Sequence, residues 1–284
     1  MTYFAQALLD GLSAGATYAL IAIAFSLVWA TVRTVNLALL QVLSCAGMLA
    51  YLGAQHGVVL AFVYGLLGAV VIGVASHFVA IVPTLSKGQI YPIITSLGFG
   101  LLLTAGLVAI FGDLLRPVPP VLPEGGARLG GTYLSWGAVL QIAVALVLVV
   151  AAIVVMRSSR VGLAFRSSAW APDLAGAYGV NLPAVRLGSA VVSSLLIGLA
   201  GVFIALTAGS VGPLLGATAG LKGMVAMLIG GAGNLPGAVV GGLAVGLVES
   251  VSLQYTTSAL SGAIAFAVLF ALMVLKPSGL MKEY

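Results

Sequence analysis

The chain has 284 residues, of which 62% are hydrophobic and only 6% charged, with a formal net charge of +5. Soluble domains carry about a quarter charged residues, so this chain cannot clothe itself in a water-facing surface and is not a soluble enzyme. Its basic excess is spread along the chain and reports membrane orientation rather than nucleic-acid binding.

The composition predicts an all-α, polytopic integral membrane protein, in which one crossing needs ~20 apolar residues. In chain order the apolar stretches are 11–30, 37–54, 59–82, 91–111, 136–156, 187–208, 221–233, 237–252 and 257–275, or eight or nine membrane segments in a single domain spanning 1–284. No basic region precedes the first stretch, and its first charge is Asp10. It is therefore expected to persist as a helix rather than be cleaved as a signal peptide. Cys45, the single cysteine, lies in the second stretch and can form no internal disulfide.

Two connections stand out. Residues 112–135 hold Pro117, Pro119, Pro120 and Pro123 and are expected to form a turn-rich outer loop. Residues 157–186 are the longest polar stretch, with Arg157, Arg160, Arg166, Asp173 and Arg186. Within them Pro172 suits a first helical position, Asp173 the positive end of a helix dipole and Gly179 a C-terminal cap, which predicts a helix of about two turns at the cytoplasmic surface.

The stretches 221–233 and 237–252 are short and separated by Gly233-Asn234-Leu235-Pro236-Gly237. Non-helical backbone at membrane depth must be buried in protein or line a cavity, so a broken or re-entrant pair is expected here. Charge parity agrees. With the N-terminus outside, Arg33, Lys87 and the arginines of 157–186 fall inside, and Lys276 and Lys282 join them only if the two short legs count separately. The C-terminus is then cytoplasmic. Glycines at spacing four, Gly11/Gly15, Gly237/Gly241 and Gly242/Gly246, are candidates for close helix packing.

Catalytic motifs fail on context. Gly11-Leu12-Ser13-Ala14-Gly15 has the nucleophile-elbow pattern but opens an apolar helix, and the histidines are His56 and His77 alone. Gly231-Ala232-Gly233 reaches Pro236 where a dinucleotide fingerprint needs Gly or Ala, and Gly216 to Lys222 is not a Walker A loop. No Cys/His cluster has metal-ligand spacing, so no metal site is expected. Intramembrane ionisable residues are functional candidates by default, and His77, Lys222 and Glu249 qualify. His77 is expected to reach the interface. Lys222 and Glu249 either reach the interface or pair with each other. No acidic or basic relay at mid-membrane is evident, so energy for directional transport should come from another chain. Small polar residues, Asn36, Thr95, Ser96 and Gly98 with Asn234 at the break, are the candidates for an uncharged path.

Four blocks carry a family resemblance. The opening holds Gly11, Leu12, Ser13, Gly15, Tyr18, Ala19, Leu20, Arg33 and Asn36; the inner loop holds Gly162, Arg166, Ala175, Gly179 and Asn181; a double-glycine run follows Lys222; the tail reads Leu-Lys-Pro-Ser-Gly-Leu-Met. In that order they resemble the permease subunit of bacterial ABC importers for branched-chain amino acids, the LivH family, over nearly the whole chain. After Asn36 this chain has Leu37-Ala38-Leu39-Leu40 where the family usually has Phe-Ala-His-Gly. The resemblance implies a translocation path for branched-chain or hydrophobic amino acids, or for a relative's solute such as urea, a short amide or a small organic acid. It implies ABC ATPase subunits that bind ATP and Mg, a second related permease, an extracytoplasmic binding protein, and no cofactor on this chain. The 163–180 loop would then dock on an ATPase through Phe165, Trp170 and Tyr178, with Arg166 and Asp173 giving polar contacts and register and with Ala175 and Gly179 counted among the coupling residues. A channel or facilitator working without ATP is the alternative.

Overall fold

The computed structural model describes residues 2–123, 125–129, 131–257, 260–264, 266, 267, 279 and 281. The expected segment at 257–275 and the tail with Lys276 and Lys282 lie mostly or wholly outside the described residues. Among those described, ten α-helices form the architecture: α1 Thr2–Val32, α2 Ala38–Ala54, α3 Val58–Ser76, α4 Ile90–Phe111, α5 Trp136–Ser158, α6 Arg160–Trp170, α7 Pro172–Ala177, α8 Leu182–Ala208, α9 Leu221–Gly230 and α10 Leu235–Tyr255. Six helical stretches are long and apolar enough to cross a membrane, and Ala38–Ala54 and Gly216–Gly230 are shorter apolar helices. The all-α, polytopic membrane reading holds.

α1 and α8 form the centre. Their most apolar windows are 83% and 72% buried, against 17% for both α4 and α5. Since those outer helices are as apolar as the inner ones, their exposed Leu101, Leu102, Val147 and Val150 face a solvent of lipid or another membrane chain.

α1 begins nine residues before its apolar stretch, and the expected broken pair is asymmetric. The first leg is short: a π turn at Gly216–Gly220 leads into α9. The second leg, α10, runs 21 residues and is a full span. The break between them is built by Gly231 and Gly233, at φ +107 and +84, values a side chain opposes. Asn234 then caps α10 by accepting from the Gly237 N–H at 3.1 Å, and Pro236 occupies the first turn, where its missing N–H costs nothing.

α3 also continues past its α-helical part. His77–Ile81 form a π turn and Val82–Lys87 a 3₁₀ segment. Pro83 explains the change, because proline cannot donate its N–H and crowds the carbonyl four residues back. His77 lies at spacing four after the buried Ala61, Gly65, Ala69 and Gly73 of α3; it is 4% exposed and edge-on to Phe78.

The 112–135 loop carries short strands. β1 Arg116–Pro117 pairs antiparallel with β4 Ser210–Val211, and β2 Gly126–Leu129 with β3 Thr132–Ser135. Gln6 of α1 ties this end by bonding both the N–H and the carbonyl of Tyr133, at 2.8 and 2.9 Å.

Candidate functional site

Three polar constellations interrupt the apolar fold. The first lies where α1, α9 and α10 meet. Small residues let the backbones touch: a Cβ on Gly15 would come 2.9 Å from the Leu243 Cα, one on Gly11 would meet Leu247, and side chains on Gly242 and Gly246 would overlap the backbone of α1. Gly237 and Gly241 play the same part against α9, facing Gly230 and the Ala226 carbonyl. In that seam the Lys222 ammonium lies 2.5 Å from Glu249 Oε1. The Tyr18 hydroxyl donates to Glu249 Oε2 at 2.8 Å, and the ammonium also sits 5.9 Å from the centroid of the Tyr18 ring. The pair is thus formed, and the cluster is charge-neutral. Gln141 of α5 reaches the same helix from the other side, donating to the Ser13 carbonyl at 2.9 Å and bonding Thr17.

The second constellation joins α2, α3 and α4 and gathers three of the candidate path residues. Asn36 donates to Ser76 Oγ at 3.2 Å and accepts from the Ala38 N–H at 3.1 Å. Ser96 accepts from the Leu37 N–H at 3.1 Å. The Thr95 hydroxyl lies 2.7 Å from the carbonyl of Ala80, inside the π turn. Asn36 and Ser96 are buried, so each holds helices together in this conformation. Gly98 has open space before it, and Asn234 sits in the α9–α10 break, where it caps α10 rather than joining these hydrogen bonds.

The third constellation is the basic end. Arg33, Lys87, Arg157, Arg160, Arg166 and Arg186 cluster at the helix ends around α6 and α7, whereas the opposite end has Arg116 and Arg128 with Asp10 and Asp113. The 163–180 loop holds the expected helix of about two turns as α7, preceded by the end of a further helix, α6. Pro172 drives Ala171 out of the helical region, to φ −145 and ψ 80, and restarts the chain as α7. That helix ends as the sequence implies, with Gly179 at φ +85. Serine and asparagine caps fix the neighbouring starts: Ser159 accepts from Gly162 N–H at 3.0 Å and Asn181 from Ala184 N–H at 3.1 Å.

Phe165 and Ala175 are buried, 6% and 5% exposed, and pack inward. Trp170, Leu174 and Tyr178 are exposed, as are Arg166 and Asp173; Leu174 and Tyr178 lie one turn apart at α7, while Trp170 closes α6 on the other side of the break at Ala171. Leu174 is the exposed apolar residue that sequence reading passes over, although its spacing of four from Tyr178 signals it. A cavity of about 530 Å³ lies beside Trp170, bounded by the ends of α1 and α5, by α6 and by the start of α10. Among the described residues no group of three His, Cys, Asp or Glu is placed to hold a metal ion.

Comparison with known proteins agrees with this architecture. The family described as "Branched-chain amino acid transport system / permease component" matches residues 7–275. The chain is 24% identical to the high-affinity branched-chain amino acid transport system permease protein BraD of Pseudomonas aeruginosa, covering 98% of this chain and 96% of that protein. It is 27% identical to the corresponding permease protein LivH of Escherichia coli K12, with the same two shares. Among solved structures, a chain described as a metal-chelate type ABC transporter in an inward-facing conformation shares the fold, with TM-score 0.52, 18% identity and coverage of 95% of this chain and 85% of that one. From the match over nearly its whole length, the chain belongs to the branched-chain amino acid transport permease family: it is a multi-pass membrane permease subunit and not itself an enzyme.

Proposed function

We propose that this permease is one half of the translocation path of an ABC importer, working with a second related permease. Its cargo is a branched-chain or hydrophobic amino acid, or a related small solute such as urea, a short amide or a small organic acid. Energy comes from ATPase subunits that bind ATP and Mg, and an extracytoplasmic binding protein delivers the solute. The family match over residues 7–275 carries this reading. The names of the relatives support the cargo class, and the scarcity of mid-membrane charge supports an external energy source.

The basic end suits the cytoplasm by the positive-inside rule. The N-terminus is then outside, 112–135 is an outer loop, 157–186 is the cytoplasmic coupling loop, and the C-terminus is cytoplasmic. The exposed Trp170, Leu174 and Tyr178 form the docking surface for an ATPase, since aromatic anchors dominate such contacts. Arg166 and Asp173 flank it, Gly179 turns the chain away from it, and the buried Phe165 and Ala175 fasten it to the membrane core, so that movement of the ATPase is passed on. The solute path runs on the α2–α4 side, where Asn36, Thr95, Ser96 and Gly98 lie, with Asn234 at its cytoplasmic end.

The test is ATP hydrolysis by the chain co-expressed with its neighbouring genes and reconstituted in lipid. Binding proteins loaded with leucine, urea or a short amide are added one at a time. Stimulation by one of them identifies the solute class; uptake down a gradient without any copurifying ATPase replaces this reading with a facilitator. In the same assay Trp170→Ala with Leu174→Ala should cut stimulated hydrolysis at least ~10-fold, the weight of one or two anchor residues.

A further inference from the structure

The α2–α4 side of the fold holds a polar atom without a partner. Most polar side chains there are spent within the protein. Asn36, Thr95 and Ser96 bond across to other segments, Ser44 accepts from the Gly216 N–H at 2.7 Å, and Thr104 donates to the Gly100 carbonyl at 3.1 Å. Gln41 of α2 differs: its Oε1 is buried and has no hydrogen-bond partner. The residue as a whole is only half-buried, so its amide can be approached.

Position separates Gln41 from the other buried atoms in that state. The Ser26 and Ser193 hydroxyls can turn to a carbonyl of their own helices. Gln141 already holds α1 through its Nε2, and the Arg186 Nε is a donor near the start of α8. Gln41 lies against the middle of α4. A Cβ built on Gly100 there would come 3.5 Å from Gln41 Cγ, an ordinary contact, so α2 and α4 are not pressed together as the seam helices are. At that depth lipid offers no hydrogen-bond donor. An orphaned acceptor weakens folding, and such a group in a native chain calls for an explanation. An occupant that offsets the cost is a donor present only in passing.

We infer that Gln41 reads the solute on the α2–α4 path, its Oε1 accepting a hydrogen bond from an N–H group of the cargo. The ammonium of an amino acid and the amino groups of urea or a short amide supply that donor; the carboxylate of a simple organic acid does not. The cargo class is thereby narrowed to solutes that carry N–H. This role rests on the import path proposed above.

Gln41→Met, which keeps an unbranched side chain without the acceptor, tests it in two measurements. Because a buried orphan disappears, the isolated variant chain should melt at or above the temperature of the parent. Reconstituted with the products of its neighbouring genes and a loaded binding protein, the same variant should import the parent's cargo (leucine, urea or a short amide) at least ~10-fold more slowly, with assembly unchanged. Gln41→Glu, which returns an oxygen acceptor at the same reach, should recover part of that loss. A lower melting temperature for Gln41→Met would make the side chain a structural bond, and unchanged import would leave it without a solute; either result overturns the role. So does a parent complex whose cargo proves to be a carboxylic acid without nitrogen, such as isovalerate. A parent complex that imports none of these solutes fails earlier, at the import path itself, and removes the role with it.

Discussion

The seam between α1 and the α9–α10 pair and the rim helix α4 are written in the same apolar, glycine-containing alphabet, yet they pack in opposite ways. In the seam Gly11, Gly15, Gly242 and Gly246 are pressed against a partner backbone. On the rim Gly98 and Gly106 of α4 face open space. In lipid, apolar area gives helices little reason to associate, so contact depends on how closely backbones approach. Glycine content therefore marks where close approach is possible, and the facing residue decides whether it occurs. The seam also holds the charges: Lys222, Glu249 and Tyr18 satisfy one another there.

The sharpest way to break this comparison is to put equal bulk on both sides. Gly246→Leu drives a side chain into the backbone of Gly11 and Gly15 and should prevent folding outright, at a cost above the ~1–3 kcal/mol of ordinary overpacking. A detergent-solubilised variant that melts like the parent chain would contradict the seam geometry. Next in size is the buried pair. Glu249→Gln leaves the Lys222 ammonium, 17% exposed, without its counter-charge and should cost about 3 kcal/mol. Lys222→Met in the same chain should restore most of that, as thermal melting of single and double variants would reveal. Additive losses would mean that the two side chains do not interact.

Much of the seam was legible beforehand. Glycines at spacing four named its packing face, and Gly233 with Pro236 named the break. The pairing of Lys222 with Glu249 stayed open, because it depends on α9 and α10 folding back on each other, which places residues 27 apart in sequence side by side. Other features were less accessible. His77 follows Ala61, Gly65, Ala69 and Gly73 at spacing four on the buried face of α3, but which face of so uniformly apolar a helix is buried is decided by its neighbours. Strands of two to four residues are too short to show alternation. In α6, Phe165 and Trp170 look alike as aromatics; only the docked ends of α1 and α5 decide that Phe165 is buried and Trp170 exposed. Asn36 and Ser96 read as polar groups for a path, whereas in this conformation their hydrogen bonds run between helices.

A smaller effect is expected at the break that lets α9 return along α10. Asn234→Ala removes the side-chain acceptor for the Gly237 N–H and should cost about 1 kcal/mol, the usual weight of a helix cap. Asn234→Asp keeps an acceptor at the same place and should lose less. Thermal melting of the two variants separates a capping role from a general intolerance of change at this position: equal losses would point away from the cap.

The smallest effect belongs to the rim and completes the comparison. Gly98→Leu adds the same kind of bulk as Gly246→Leu, at the same membrane-embedded type of position, but no atom lies within 4 Å of where its Cβ would go. Helix propensity even favours the change, since leucine is a better helix former than glycine. In the isolated chain its stability should therefore stay within ~0.5 kcal/mol of the parent. The informative contrast comes from repeating the measurement after assembly with neighbouring subunits. A face that meets only lipid keeps its tolerance there, whereas a face covered by a second permease acquires the seam's sensitivity to bulk. A loss seen already in the isolated chain would show that α4 packs against its own neighbours through Gly98, and the distinction between seam and rim would fall with it.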